Sequence, residues 1–320
     1  MEESGIPLSY RDTVLSDTVT AQYSWRRDTI VKGIHVLLAF AMLNIVFYDF
    51  SFFINDRLDW QILLFLNPDS PIPLIDDFMV LVTDFSMPIF GAALLFWETA
   101  YLLSKHPSIT KRGAETFLKI LGIILFPPVC TLSFWGGYVH RFIFFPLAIL
   151  VVITFWSLGN TLSRCDEKTL HHFSLLFWII ILSALSTQLS VEIIKDMVAR
   201  PRPLSGFYPG YDHGLRIIAD EVVRSGYSYP SSHSAMFFAI LTPVIFFVSN
   251  KRIRLSLFSW GLLHALSRVY LAAHFPYGSL MGAALGFFTG TLMARIFKPA
   301  ENGKLPRAWS TILGDSSESH

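Results

Sequence analysis

Long apolar runs separated by short polar segments fill the chain from about residue 33 to residue 297. A helix that crosses a bilayer needs roughly 20 mostly apolar residues. Eight runs approach that length: 33–54, 79–103, 115–137, 140–162, 173–195, 233–249, 254–272 and 276–297. The pattern predicts an all-α, polytopic membrane helix bundle of about eight spans. No repeat of solenoid period, low-complexity stretch or soluble domain interrupts it. The chain therefore divides into a polar segment 1–32, a transmembrane domain 33–297 and a polar tail 298–320.

Composition agrees with lipid as the solvent. Charged residues are 15% and hydrophobic ones 52%, with a mean hydropathy of +0.49, whereas soluble domains carry about a quarter charged residues. A net charge of +1 argues against nucleic acid as a partner. Cys130 and Cys165 make no disulfide framework and have no zinc-site context. The polar N-terminal stretch leads to the expectation that the first span is retained rather than cleaved as a signal peptide.

Lysines and arginines in short loops favour the cytoplasmic side. Lys105, Lys111 and Arg112, then Arg164 and Lys168, then Lys251, Arg252 and Arg254, then Lys298, Lys304 and Arg307 all fall on one side of an eight-span chain. Arg26, Arg27 and Lys32 join them, so both termini are expected in the cytoplasm. The opposite first loop is acidic, with Asp56, Asp59, Asp69, Asp76 and Asp77. Against this rule, the outer segment 196–232 holds Arg200, Arg202, Arg216 and Arg224, which marks it as a place where cations are needed.

Three polar clusters reach that outer face. Lys195 ends the fifth span and is followed by Arg202, with Pro201 and Pro203 stopping the helix. Pro230-Ser231-Ser232-His233 opens the sixth span; serine there is an N-cap signal, and a helix start is also a natural anion site. Arg268 lies inside the seventh span, six residues before His274. An arginine within a span costs about 3 kcal/mol on insertion scales, so it is expected to face a polar cavity. Taken singly, these are snorkelling cations, caps and an interfacial histidine. Together they place two histidines, two arginines, a lysine and a helix N-terminus around one pocket. Such donors suit a transferring phosphoryl group, with one histidine attacking phosphorus and the other protonating the leaving oxygen. The cluster contains no metal-ligand spacing of Asp, Glu and His, so chemistry without a metal or other cofactor is expected.

These runs resemble the signature motifs of the type-2 phosphatidic acid phosphatase superfamily: K-x6-R-P, P-S-G-H and S-R-x5-H-x3-D. Lys195, Arg202 and Pro203 match the first motif. Pro230, Ser231 and His233 match the second, with Ser232 in the glycine position, and Ser267, Arg268 and His274 match the third. The resemblance implies phosphate binding by Lys195, Arg202, Ser231, Ser232 and Arg268. It also implies His233 as the acid for the leaving group and His274 as the nucleophile of a phosphohistidine intermediate. It places the active-site core at about 173–297 and makes six spans the common core, with 115–137 and 140–162 as additions. Pro73 to Phe90, with Asp76, Asp77 and Thr83, resembles the region before the second span in bacterial members.

One departure matters. Where the superfamily carries an aspartate to orient the nucleophile, this chain has Gly278, so His274 loses an orienting carboxylate. Gly278 also begins a stripe with Gly282, Gly286, Gly290 and Ala294, the spacing that lets helix backbones pack closely in lipid. Glucose-6-phosphatases, which have a similar SR-x-YLAAHFP run, also lack the aspartate. Glu192 and Asp84 are the candidate substitute acids. The expected function is hydrolysis of a lipid phosphate or lipid pyrophosphate, with that substrate and the membrane lipids as partners. The expected site is a bacterial cytoplasmic membrane with the active site on the periplasmic face. Hydrolysis of a sugar phosphate, phosphotransfer to another lipid, and an inactive lipid-binding or transport protein are the alternatives.

Overall fold

The computed structural model describes residues 57–105, 110–135, 141–205, 214–218 and 226–297. At 84–90, 92–93, 126–135 and 141–147 the description is of the backbone only. Among these residues every regular element is a helix: α1 (Pro73–Ser104), α2 (Lys111–Trp135), α3 (Arg141–Arg164), α4 (Glu167–Val198), α5 (Ser232–Phe247), α6 (Lys251–Tyr270) and α7 (Pro276–Phe297). They occupy the second to eighth predicted spans, with ends displaced by a few residues. The predicted span 33–54, the segments 1–32 and 298–320, the turn at Gly136 and Gly137, and Arg224 lie outside the described residues. Two of the described helices, α4 and α7, are long and apolar enough to cross a membrane on length and composition. The count of eight spans therefore rests on the sequence alone.

Helix starts follow the capping chemistry of the sequence. Asp166 caps α4 by accepting from Thr169 N, Ser231 caps α5 by accepting from Ser234 N, and Asn250 caps α6 by accepting from Arg252 N and Ile253 N. α1 and α7 begin with Pro73 and Pro276, where a missing N–H removes no helical bond.

α4 to α7 pack together around the residues of the three clusters. α7 lies with its backbone directly against α5. A methyl built on Gly282 would stand 2.4 Å from the Ser231 carbonyl oxygen, and one on Gly286 would stand 1.9 Å from that of Ala235. The small-residue stripe is thus a packing surface, and its close approach draws the start of α5 against the start of α7. A bond between the hydroxyls of Thr187 and Thr289 ties α4 to α7, and Ser183 Oγ donates to the Ala239 carbonyl at 2.9 Å. α2 and α3 pack on each other and on α1 through Trp97, Tyr101, Leu118, Val151, Phe155 and Leu162.

The acidic first loop contains structure that its composition conceals. Residues 57–66 are helical, and Trp60 and Leu63 pack against Val269, Ala272 and Phe275. Its aspartates are not merely outer-loop acids. Asp59 accepts from Arg200 Nη1 at 2.7 Å, and Asp76 accepts from both terminal nitrogens of Arg216 at 2.6 and 2.8 Å. The acidic loop and the arginine-rich segment therefore share one face, and two of the unexpected arginines are balanced within the protein.

Candidate active site

Each of the three clusters sits at a helix end, and hydrogen bonds join those ends. α4 stops at Ala199, which takes the left-handed conformation at φ 49° and donates its N–H to the Lys195 carbonyl. The chain then runs through Arg200 and Arg202, and the Arg200 carbonyl accepts from Ser228 N at 2.7 Å. That bond lays the segment before α5 beside the segment after α4. α6 stops in the same way. Ala272 is left-handed at φ 53°, and the Arg268 carbonyl accepts from both Ala273 N at 3.1 Å and His274 N at 3.2 Å. Arg268 and His274 are thus held by one turn of backbone. Left-handed non-glycine residues are uncommon, and both here flank the polar cluster.

Lys195 donates to Ser232 Oγ, so the first and second clusters touch directly. Arg202 Nη1 donates to the Ala273 carbonyl at 3.3 Å, which joins the first cluster to the third. Ser231 N donates to the Gly278 carbonyl at 2.9 Å, and Ser234 Oγ bonds Ser279 Oγ at 2.9 Å, which join the second to the third. Arg202 and Arg268 are buried. The ring of His233 is exposed, in the first turn of α5, within electrostatic reach of Arg268, Arg202 and Lys195. Ser231 is fully buried, and its hydroxyl serves the cap by accepting from Ser234 N and Ser234 Oγ.

His274 is 1% exposed, and its Nδ1 lies 2.7 Å from the Ser228 carbonyl oxygen. A carbonyl only accepts, so Nδ1 carries the proton and Nε2 presents its lone pair. Nε2 is buried and has no hydrogen-bond partner. Burial holds the His274 imidazole well below the usual histidine range, and the nearby guanidinium groups of Arg202 and Arg268 push it the same way. Burial and these charges therefore favour the neutral ring.

Of the two candidate substitute acids, Glu192 is half-exposed and lies on Lys195 at 3.5 Å, where Gln188 also donates to it. The side chain of Asp84 lies outside the described residues. Among the described residues, the contact on His274 Nδ1 is the main-chain carbonyl of Ser228, which sequence reasoning missed because no residue type signals a carbonyl. Also missed was the bond between Thr83 Oγ1 and Ser267 Oγ at 2.5 Å, which pins α1 to α6 beside Arg268. Asp76 accepts from Tyr270 as well as from Arg216, which gives the Pro73–Phe90 region a structural part in the site.

The chain is 27% identical over 105 residues to a lipid A 4'-phosphatase from Bacteroides thetaiotaomicron, covering 33% of this chain and 46% of that protein. It is 28% identical over 203 residues to a probable lipid phosphate phosphatase 4 from Arabidopsis thaliana, covering 54% of this chain and 61% of that one. The chain thus spans about half the length of these curated relatives. A crystal structure of a transmembrane PAP2-type phosphatidylglycerolphosphate phosphatase from Bacillus subtilis aligns with 67% of this chain and 98% of its own, at a TM-score of 0.34 and 18% identity. The pattern that defines the PAP2 superfamily matches residues 176–301, a stretch that holds all three clusters. Over that segment, the chain is similar to the PAP2 superfamily.

Proposed function

We propose that this chain is a membrane-embedded phosphatase that hydrolyses a lipid phosphate or lipid pyrophosphate through a phosphohistidine at His274. The observation that carries the reading is the pair of contacts on that ring: Nδ1 engaged at 2.7 Å, Nε2 buried and unpartnered. Such a ring is a prepared nucleophile. Nε2 attacks phosphorus, and the P–O bond to the lipid breaks as His233 delivers a proton to the leaving oxygen. Water then attacks the phosphohistidine, the P–N bond breaks, and His233 takes the proton of that water. Lys195, Arg202 and Arg268, with the start of α5, balance the charge that builds on the equatorial oxygens. Ser232 Oγ holds Lys195 in place, while Ser231 contributes by capping the helix whose N–H groups face the phosphate.

A lipid substrate is favoured because both curated relatives bear lipid phosphatase names. A site at helix ends also takes a head group while an acyl or prenyl tail remains in hydrocarbon. The reading keeps eight spans, both termini in the cytoplasm and the site on the outer face. It needs no metal, since cations and histidines supply the charge and proton chemistry.

The test is phosphate release from phosphatidate, prenyl pyrophosphate and a sugar phosphate, assayed side by side in vesicles or detergent. The lipid substrates are expected to turn over, His274→Ala to abolish turnover, and vanadate to inhibit. A base-stable, acid-labile phosphoenzyme is expected to carry phosphate on Nε2. Wild-type turnover in His274→Ala would sink the reading, and a sugar phosphate as the sole substrate would reassign the class.

A further inference from the structure

Resting on that reading, we propose that the Ser228 carbonyl is the positioning group for His274, replacing a carboxylate, and that Gly278 is what admits it.

Three observations meet at this point. The first is the 2.7 Å bond from His274 Nδ1 to the Ser228 carbonyl. The second is what a side chain at 278 would meet. A methyl built there stands 2.9 Å from that same carbonyl oxygen, closer than real side chains approach. The obstacle is main chain, so it cannot swing aside as a flexible side chain would. The third is how firmly the segment is fixed. Ser228 N donates to the Arg200 carbonyl, Ser228 Oγ accepts from Phe275 N at 3.4 Å, and Ser231 N donates to the Gly278 carbonyl. Arg200 in turn lies over the Phe275 ring at 3.9 Å and bonds Asp59. The carbonyl is thus held from both sides of the residue that carries it, on a frame that includes the neighbour of His274.

The aspartate that the superfamily pattern places at 278 and the carbonyl are alternatives for one volume. An aspartate Cβ would displace Ser228, whereas a glycine lets the carbonyl reach Nδ1. A carbonyl fixes the same tautomer as a carboxylate, because each only accepts. It differs in carrying no net charge. The imidazole faces Arg202, Arg268 and His233 without a compensating anion on Nδ1, so its neutral, attacking form is maintained.

Gly278→Ala and Gly278→Asp separate this from a merely absent acid. Both are to be assayed on phosphatidate in phosphatidylcholine vesicles, beside wild type and His274→Ala. Each is expected to lose about 10- to 100-fold in kcat, the usual loss when an orienting contact is removed, with KM changed less than threefold. The second readout is the linkage of the trapped phosphohistidine. Wild type is expected to give the Nε2 isomer alone, and Gly278→Ala to give Nδ1 isomer as well, because the ring is no longer held in one tautomer. That ratio is read on the enzyme that reacts, so partial misfolding of a variant does not change it. Gly278→Asp matching or exceeding wild type would overturn the proposal, as would wild-type kcat and a pure Nε2 isomer in Gly278→Ala. If His274→Ala retains turnover or wild type forms no phosphohistidine, the phosphatase reading itself falls, and this inference with it.

Discussion

Arg200 and Arg202 stand two residues apart in one proline-bounded segment, and both are buried, yet their charges are met differently. Arg200 donates to Asp59 at 2.7 Å and covers the Phe275 ring at 3.9 Å. Arg202 donates to the Ala273 carbonyl at 3.3 Å, its Nε has no partner, and among the described residues no carboxylate pairs with it. Burying a guanidinium carries the same desolvation penalty in both places. In the first, the protein supplies the anion and obtains a frame for Phe275 and His274. In the second, the proposed function assigns the balancing charge to a substrate phosphate. On the proposed function, these two neighbouring arginines separate into a structural one and a substrate-facing one. Arg216 belongs with Arg200, since the two bonds it donates to Asp76 hold its guanidinium more firmly charged than usual.

The largest effect that tests this division is on stability. Asp59→Ala leaves Arg200 buried without its carboxylate, a change that costs about 3–5 kcal/mol. A marked fall in the unfolding temperature is expected, with turnover of the surviving folded enzyme affected less than by loss of Arg202. Next is Arg202→Ala, which is expected to lower kcat/KM about 10²- to 10³-fold, as when one transition-state donor is removed, with little change in unfolding temperature. If Arg202→Ala instead unfolds the protein while Arg200→Ala only slows it, the roles are reversed.

A smaller effect sharpens the comparison through pH. In the proposed mechanism neutral His274 is the attacking form, so activity is expected to be lost as pH falls through the pKa of that ring. Burial first, then Arg202 and Arg268, hold that pKa down, against a raising contribution from the Ser228 carbonyl. The acid limb of kcat/KM is therefore expected below pH 6.5 in wild type. In Arg202→Ala it is expected to move to higher pH, because one lowering charge is gone, and Arg200→Ala is expected to move it less. The smallest effect concerns the turn that joins Arg268 to His274. Ala272→Val places a β-branched residue at φ 53° and is expected to cost about 1–2 kcal/mol. Ala272→Gly is expected to change stability by about 0.5 kcal/mol or less, since relief of strain and added freedom in the unfolded chain oppose each other. Thermal unfolding in detergent measures both.

The division also explains what could be read without a structure. That Lys195, Arg202, His233, Arg268 and His274 belong to one cluster was legible because their residue types and order along the chain form a motif. The helix positions were legible because apolar runs of that length have few other solutions. The pairing of Asp59 with Arg200 was not legible, since it joins residues 141 apart and nothing in either neighbourhood names the other. The short helix at 57–66 was hidden by an acidic, mixed composition, although Trp60 and Leu63 fall at helical spacing. Ser231 shows that two readings of one residue can overlap. The cap that looked like the plain explanation is what occupies its hydroxyl, and that cap builds the helix start that the proposed function places at the phosphate.

Gly278 has a consequence for how this site can be inherited and altered. The atom proposed to orient His274 belongs to the main chain, so the genetic code at position 228 does not specify it and a codon change there leaves a carbonyl in place. The code at 278 does govern it, because the glycine to alanine change adds the one methyl that collides with that oxygen. The function is transmitted by a residue that contributes no atom to the reaction. Restoring the superfamily's aspartate there, the obvious repair by comparison, would press its Cβ against that same oxygen.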